Sequence, residues 1–569
     1  MNDNKFPTLI TKYASEMDRQ IPWNEYPRPS MARDSFLCLN GQWDFAVTET
    51  STVSSFDEKI LVPFPPESLL SGIEREIPKG SFINYRRSFK LPEEMKGKRI
   101  LLHFGAVDTI CTVEINGNVV CTHEGGYLPF YADISDVILE GENTIRVTVK
   151  DDLDADYPYG KQTRKRGGMW YTPVSGIWQT VWIEAVPENY IKSIKITPSM
   201  TSAQISIAGG ESKKKITLDS GESFEFEGSL ITISPSEIQN WSPENPHLYR
   251  FTLESGDDKV ESYFALREIS IEKVNGIARL TLNGKPYLFN GLLDQGYYPD
   301  GIFLPATSKG YLDDILNCKE LGFNMLRKHI KIEPEIFYYL CDNLGMVVFQ
   351  DMVNNSSYSF LIDTALPTIG FKRLPIIFRH KKKRSRQIFE EHMYDTITHL
   401  YSFPSVMYYT IFNEGWGQFC ADKMYEKAKA FDSTRIYDTT SGWFYRRKSD
   451  VDSRHVYFKP VKLGKVTERP IVISEFGGYS YRVLDHLFGE EEYGYSSFAS
   501  LEEFDAAITK LYGEELKPLI SKGISALVYT QVSDVEDETN GIITYDRAVV
   551  KLDKSKTTSL MQELYDEMK

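Results

Sequence analysis

Val406-Met407-Tyr408-Tyr409-Thr410-Ile411-Phe412-Asn413-Glu414-Gly415-Trp416-Gly417 is the stretch whose reading decides the fold. It opens with an apolar, aromatic and β-branched run that suits a strand buried on both faces, and then stops abruptly at Asn-Glu-Gly. A second stretch repeats the design: Ile471-Val472-Ile473-Ser474-Glu475-Phe476-Gly477-Gly478. Strands of this kind belong to parallel sheets covered by helices. Working outward, residues 287–292, 325–328, 347–350, 436–440, 456–457 and 526–530 read as further strands. Amphipathic periods separate several of them, as in Ile388, Phe389, Met393, Ile397 and Leu400, and in Leu501, Phe504, Ile508 and Leu511. Eight strands alternating with helices after Gly276 predict a (β/α)8 TIM barrel. The glycine-rich first turn of a doubly wound sheet is missing.

The 569-residue chain is long enough for three or four domains. Upstream of the barrel the pattern is all β. Short β-branched runs such as Thr144-Ile145-Arg146-Val147-Thr148-Val149 are bounded by turn residues such as Asn116-Gly117. Residues 1–186 are expected to form a jelly-roll-like β-sandwich. Residues 187–275 are expected to form an immunoglobulin-like sandwich and residues 276–569 the barrel.

With 65 basic and 80 acidic residues the net charge is −15, which repels phosphate backbones, so no nucleic-acid partner is expected. No run of 18 apolar residues exists, so no membrane partner is expected. The N-terminus lacks the features of a secretory signal, and Cys38, Cys111, Cys121, Cys318, Cys341 and Cys420 show no C-x-x-C spacing. They read as free buried thiols of a cytoplasmic protein, with a Cys111–Cys121 bridge as the alternative. The basic run Arg379-His380-Lys381-Lys382-Lys383-Arg384 and the acidic residues 534–538 read as solvated loops.

Chemistry in a barrel collects where strands end at the C-terminal face. The strand ends deliver Asp294 and Gln295, then Arg327 and His329, then Asp351, then Asn413, Glu414 and Trp416. Trp443 follows the fifth strand, His455 and Tyr457 belong to the sixth, Glu475 to the seventh and Tyr529 to the eighth. Glu414 and Glu475 each follow an apolar strand. A carboxylate buried there is costly unless it is paired or functional. On the fourth and seventh strands they would face each other, as the two carboxylates of retaining glycoside hydrolysis do. The alternative is a pair of salt-bridged structural glutamates. Trp416 and Trp443 read as rim aromatics able to stack on a sugar, with plain packing as the alternative. His455 reads equally as a ligand-facing donor and as a satisfied strand histidine. No zinc spacing, P-loop or Ser-His-Asp pattern competes, so no metal or organic cofactor is expected.

These residues resemble glycoside hydrolase family 2, the family of β-galactosidases, β-glucuronidases and β-mannosidases. The resemblance runs through Gly125-Gly126-Tyr127-Leu128-Pro129-Phe130 and Ser175-Gly176-Ile177-Trp178, then Trp241-Ser242-Pro243-Glu244-Asn245-Pro246. It continues in Phe323-Asn324-Met325-Leu326-Arg327, Phe412-Asn413-Glu414 and Ile473-Ser474-Glu475. It implies Glu414 as general acid/base, Glu475 as nucleophile and Asn413 as partner of the sugar 2-hydroxyl. It further implies that Tyr457 touches the nucleophile and that Arg327 keeps it ionised. Three positions depart from the family pattern: Arg327-Lys328-His329 is one residue short, Asp294-Gln295 stands where many members have histidine, and Tyr529 stands where many have tryptophan. The activity implied is a retaining, exo-acting glycosidase, first a β-galactosidase, with β-glucuronidase, β-mannosidase and α-L-arabinofuranosidase as alternatives. A non-catalytic carbohydrate-binding protein is the alternative of another class. The partner implied is a carbohydrate or glycoside, and a homo-oligomer is admitted. The basic segment 160–168 is expected to lend a loop to the pocket. Arg446 and Arg447 are candidate cations for an acidic sugar.

Overall fold

The parallel strands are β1 (Phe289–Asp294), β2 (Met325–Lys328), β3 (Val347–Asp351), β4 (Val406–Phe412), β5 (Ile436–Thr440), β6 (Asp452–Val456), β7 (Ile471–Gly477) and β8 (Ile524–Thr530). In this computed structural model, which describes residues 8–366, 380–444, 447–457, 459–463 and 468–568, they form one sheet in the order β5-β4-β3-β2-β1-β8-β7-β6. The sheet curls almost shut. At the seam the backbone of Asp450, just before β6, donates to Tyr437 of β5 at 3.0 Å. β6 begins four residues earlier than expected, and Tyr457 lies just beyond its end.

Helices Lys309–Glu320, Glu335–Leu344, Lys383–Leu400, Ala421–Phe431 and Leu501–Lys510 cover the outside, and Lys554–Asp566 follows β8. Among the described residues, no helix joins β5 to β6 or β6 to β7, so two crossovers of the expected (β/α)8 pattern are loops.

Strand period 2 sorts the side chains into two sets. Phe289, Leu293, Met325, Val347, Phe349, Val472, Ala526 and Val528 fill the barrel interior. Leu292, Leu326, Val348, Ile473, Leu527 and Tyr529 face the helices. A small antiparallel sheet, Ile269–Val274, Ile277–Leu282 and Lys285–Pro286, puts Leu280 and Leu282 against the interior set, and the expected boundary at residue 276 falls inside it.

The first sandwich packs a four-stranded sheet against a six-stranded one. Asn143–Lys150 shows why it forms: Ile145, Val147 and Val149 are buried, while the residues between them are partly exposed. The second sandwich packs a three-stranded sheet, Ile191–Pro198, Ala203–Gly209 and Leu230–Ile233, near a four-stranded one over a separate core that includes Ile205, Ile216, Leu253 and Phe264.

Several surface expectations are corrected. Cys420 is exposed and Cys121 half-buried, and all six cysteines are free thiols. In the basic run Arg379 lies outside the described residues, His380 is buried, and Lys382 pairs with Asp156 of the first sandwich at 2.7 Å. Residues 534–538 are no solvated loop, because Asp534, Val535, Glu536 and Glu538 are all buried. No helix among the described residues is long and apolar enough to cross a membrane.

Candidate active site

β4 and β7 are buried along their whole length and end at the same rim of the barrel. Beyond β4 the chain turns sharply, and Glu414 sits in the left-handed region at φ 50°, ψ 21°. A non-glycine residue held there is strained, and its surroundings must hold it. Ser441, just past β5, does so: its hydroxyl accepts from the backbone N–H of Glu414 at 3.1 Å and donates to Asn413 Oδ1 at 2.8 Å.

Arg327 organises the floor. Its guanidinium donates to Asp351 Oδ1 at 2.9 Å, to the Ser474 carbonyl at 2.8 Å, to Glu475 Oε1 at 3.0 Å and to Asn413 Oδ1 at 2.8 Å. His329 lies 2.7 Å from the other oxygen of Asp351. Burial pushes the His329 imidazole below its ordinary value, against the pull of Asp351. Tyr457 donates to Glu475 Oε2 and lies 3.0 Å from the hydroxyl of Thr530. Burial alone would raise the Glu475 carboxyl, but the charges of His455, Arg327 and His329 and the Tyr457 hydrogen bond outweigh it and hold it below the ordinary value.

His455 Nδ1 stands 3.0 Å from Glu414 and 3.3 Å from Glu475. One oxygen of each glutamate and one histidine nitrogen all lie within 4.8 Å of one another. Among the described residues this is the one trio with metal-ligand spacing. Chemically it is a close carboxylate pair, with one partner clamped by a fixed cation and the other at the more open edge: the Glu414 side chain is 14% exposed and that of Glu475 6%.

Of the sequence-predicted residues, Arg327, His329, Asp351, Asn413, Glu414, His455, Tyr457 and Glu475 are thus brought together. Trp443 meets the His455 ring edge-on at 5.8 Å and joins the wall. Others are not where they were expected. Tyr529 points to the helices, packed against Phe476 and Tyr512, so it is no sugar platform; its neighbour Thr530 faces Tyr457. Asp294 also lies on the outer face, bound by Lys328 at 2.5 Å within a network that includes Glu333. Trp416 is buried among Tyr159, Trp170 and Tyr358, and its indole N–H donates to the Ser356 carbonyl at 3.1 Å, so it packs rather than forming an open rim. Gln295 donates to Gln531 at 2.9 Å, and Gln531 donates to Asn540 at 2.8 Å. Arg446 lies outside the described residues, and Arg447 is exposed.

Sequence reasoning missed Tyr495, which stacks on Tyr457 with centroids 4.0 Å apart. It also missed the details of the loop from the first sandwich. Tyr159 and Gly160 donate backbone N–H groups to the Asn354 carbonyl at 3.1 and 3.3 Å, and Tyr171 donates to Glu538. Arg164 turns back to the Ile77 carbonyl and Arg166 stacks over Phe488. Lys161 alone turns inward. It is 9% exposed, its ammonium is 5.4 Å from the Trp170 ring, and it makes no ion pair among the described residues. Its field reaches His329 and Glu538.

Residues 77–178 match the family model described as a glycosyl hydrolase 2 galactose-binding domain-like domain. A β-galactosidase of Thermoanaerobacter pseudethanolicus is 28% identical over 295 residues, covering 47% of this chain and 39% of that protein. A β-galactosidase of Pseudoalteromonas haloplanktis is 24% identical, covering 62% of this chain and 39% of that protein. The chain thus spans about two fifths of the length of these curated relatives. A β-glucuronidase of an uncultured Clostridium sp. shares the fold, with a TM-score of 0.73 at 19% identity over 94% of this chain and 99% of that one. With two sandwiches, a barrel and the matched first domain in this order, the chain is similar to members of glycoside hydrolase family 2.

Proposed function

We propose that the protein is a retaining, exo-acting glycosidase. The observation that carries this reading is the closeness of Glu414 and Glu475, whose facing oxygens lie within 4.8 Å. Double displacement uses carboxyl groups about 5–5.5 Å apart, whereas single displacement leaves about 6.5–9.5 Å for a water. Glu475, clamped by Arg327 and Tyr457, attacks the anomeric carbon while Glu414 protonates the departing oxygen. Glu414 then takes a proton from water, which releases the sugar with its configuration kept. Both bond-making steps use carboxylates alone, so the proposed chemistry names no cofactor. A binding protein without catalysis would have no need for both carboxylates or for the clamp on one of them.

For the glycone, the sequence favours a neutral sugar, first a β-galactoside, because residues 533–542 hold no lysine two residues after Asn540 and carry four acids. Two observations favour an acidic glycone as a second reading. Asp534 is spent on Lys551 at 2.7 Å, and Glu536 and Glu538 on Thr172 and Tyr171, so three of these acids are already engaged. Lys161 is a buried ammonium without an ion pair among the described residues, which a substrate carboxylate would satisfy.

A panel of nitrophenyl glycosides tests the reading. Turnover of at least one β-glycoside, with the substrate's anomeric configuration in the first-formed sugar by proton NMR, is expected. Inverted product would overturn it. A kcat/KM more than about tenfold higher on the glucuronide than on the galactoside, roughly 1.4 kcal/mol in the transition state, would select the second glycone reading.

A further inference from the structure

His455 sits between the two carboxylates with no exposed side-chain surface, its Nδ1 3.0 Å from Glu414 Oε1 and 3.3 Å from Glu475 Oε2. The ring fits because residue 442 is glycine at φ +78°: a Cβ there would stand 2.6 Å from the imidazole Cγ. Trp443 and Tyr457 meet the ring edge-on at 5.8 and 6.4 Å. Nε2 is buried and has no hydrogen-bond partner among the described residues. The titratable groups facing the ring are Glu414 after β4, Asp438 of β5, Tyr457 after β6 and Glu475 of β7, with Arg327 of β2 behind Glu475.

Glu475 is ionised before the first step and Glu414 after it, and an ionised carboxylate only accepts, so Nδ1 is assigned the hydrogen. One N–H cannot serve two acceptors fully at once. The double displacement moves one negative charge between these same acceptors. In the first half an oxygen of Glu475 bonds to the anomeric carbon, the bond to the leaving group breaks, and Glu414 gives its proton to the departing oxygen. Glu475 is then a neutral ester and Glu414 a carboxylate. In the second half Glu414 takes a proton from water, the water oxygen bonds to the anomeric carbon, and the electron pair of the ester bond returns to Glu475.

We propose that His455 is a positioning residue whose Nδ1–H, 3.0 Å from Glu414 and 3.3 Å from Glu475 in the free protein, is shared between the two and follows that charge. In each half of the cycle the ionised carboxylate then holds a buried, charge-assisted hydrogen bond. The inference rests on the double displacement proposed above.

The test compares His455→Leu, which fills the space without a donor, with His455→Asn, whose amide N–H falls near the place of Nδ1. The substrate is the nitrophenyl glycoside that the panel identifies. His455→Leu is expected to lower kcat about 100-fold and to move both limbs of the pH–rate profile to higher pH, because each carboxylate loses a donor that favours its charged form. His455→Asn is expected to restore both limbs. A residue that merely fills space would leave the limbs where they are, and that outcome would overturn the inference. Should His455→Leu fail to fold, the wild-type enzyme trapped with the 2-deoxy-2-fluoro glycoside of the same sugar decides. Against 3.0 and 3.3 Å in the free protein, Nδ1 is expected to stay within about 3 Å of Glu414 and to move beyond about 3.5 Å from Glu475; an unchanged or shorter distance to Glu475 would overturn the inference. Failure of the functional reading looks different: the wild-type protein itself would turn over no glycoside, and the inference would fall with it.

Discussion

Arg327 Nη1 lies 3.0 Å from Glu475 Oε1, and both side chains are almost wholly buried. The same guanidinium holds Asn413, the neighbour of Glu414, so one fixed cation sets the spacing of both carboxylates. Arginine suits this place because its planar fork reaches several acceptors and stays charged.

Arg327→Met is therefore expected to strand Asp351 and Glu475 without their cation. The cost is about 3–5 kcal/mol of stability, with loss of nearly all turnover. Urea unfolding checks the first expectation and a nitrophenyl assay the second. A variant as stable as wild type would show that the ion pair does not hold the site together.

Glu414 carries its strain in the backbone, so two truncations should separate strain from chemistry. Glu414→Ala and Glu414→Gly are both expected to slow substrates with poor leaving groups far more than nitrophenyl ones, since only the former need the proton. Glu414→Gly should be about 1 kcal/mol more stable than Glu414→Ala, because glycine accepts a positive φ without penalty. Equal losses on both substrate types would sink the acid/base role.

Tyr529→Phe is expected to leave kcat/KM within about threefold of wild type, because the ring faces Phe476 and Tyr512 rather than the pocket. Thr530→Val, which takes a hydroxyl from Tyr457, should cost more. The opposite order would return Tyr529 to the substrate.

The barrel was legible in the sequence because continuous apolar strands ending in glycine leave few other solutions, and the two glutamates stood out at those ends. The face of each side chain was harder to see. Reading every residue at a strand end as pocket-facing mixed the two faces, which is why Asp294 and Tyr529 entered the list beside Arg327 and Asp351. Parity counted from the interior residues Leu293 and Val528 would have separated them. Tyr495 comes from a loop beyond the seventh strand, and no local pattern marks such a long-range contact, whereas Lys161 was legible only as one member of the basic loop 160–168. The seemingly solvated acids 534–538 misled because burial beneath the loop of the first sandwich is a tertiary effect.

Away from the site, burial raises the Glu335 carboxyl to about 7, against the opposing hydrogen bond of Ser30 and the charge of Arg28. A raised acid contributes stability that is fully present below its unfolded value and is lost as pH rises through its folded one. Glu335→Gln, neutral at every pH, should therefore gain Tm relative to wild type between pH 5 and pH 8. An equal difference at both ends would contradict the assignment.

The most direct test of the central claim is Glu475→Gly assayed with and without azide on an activated nitrophenyl glycoside. Without azide, kcat should fall by many orders of magnitude while the fold stays intact, because the attacking group is gone. Azide should partly restore turnover and yield a glycosyl azide of inverted configuration. A Glu475→Gly variant that keeps more than a few per cent of activity without azide would show that Glu475 is not the nucleophile.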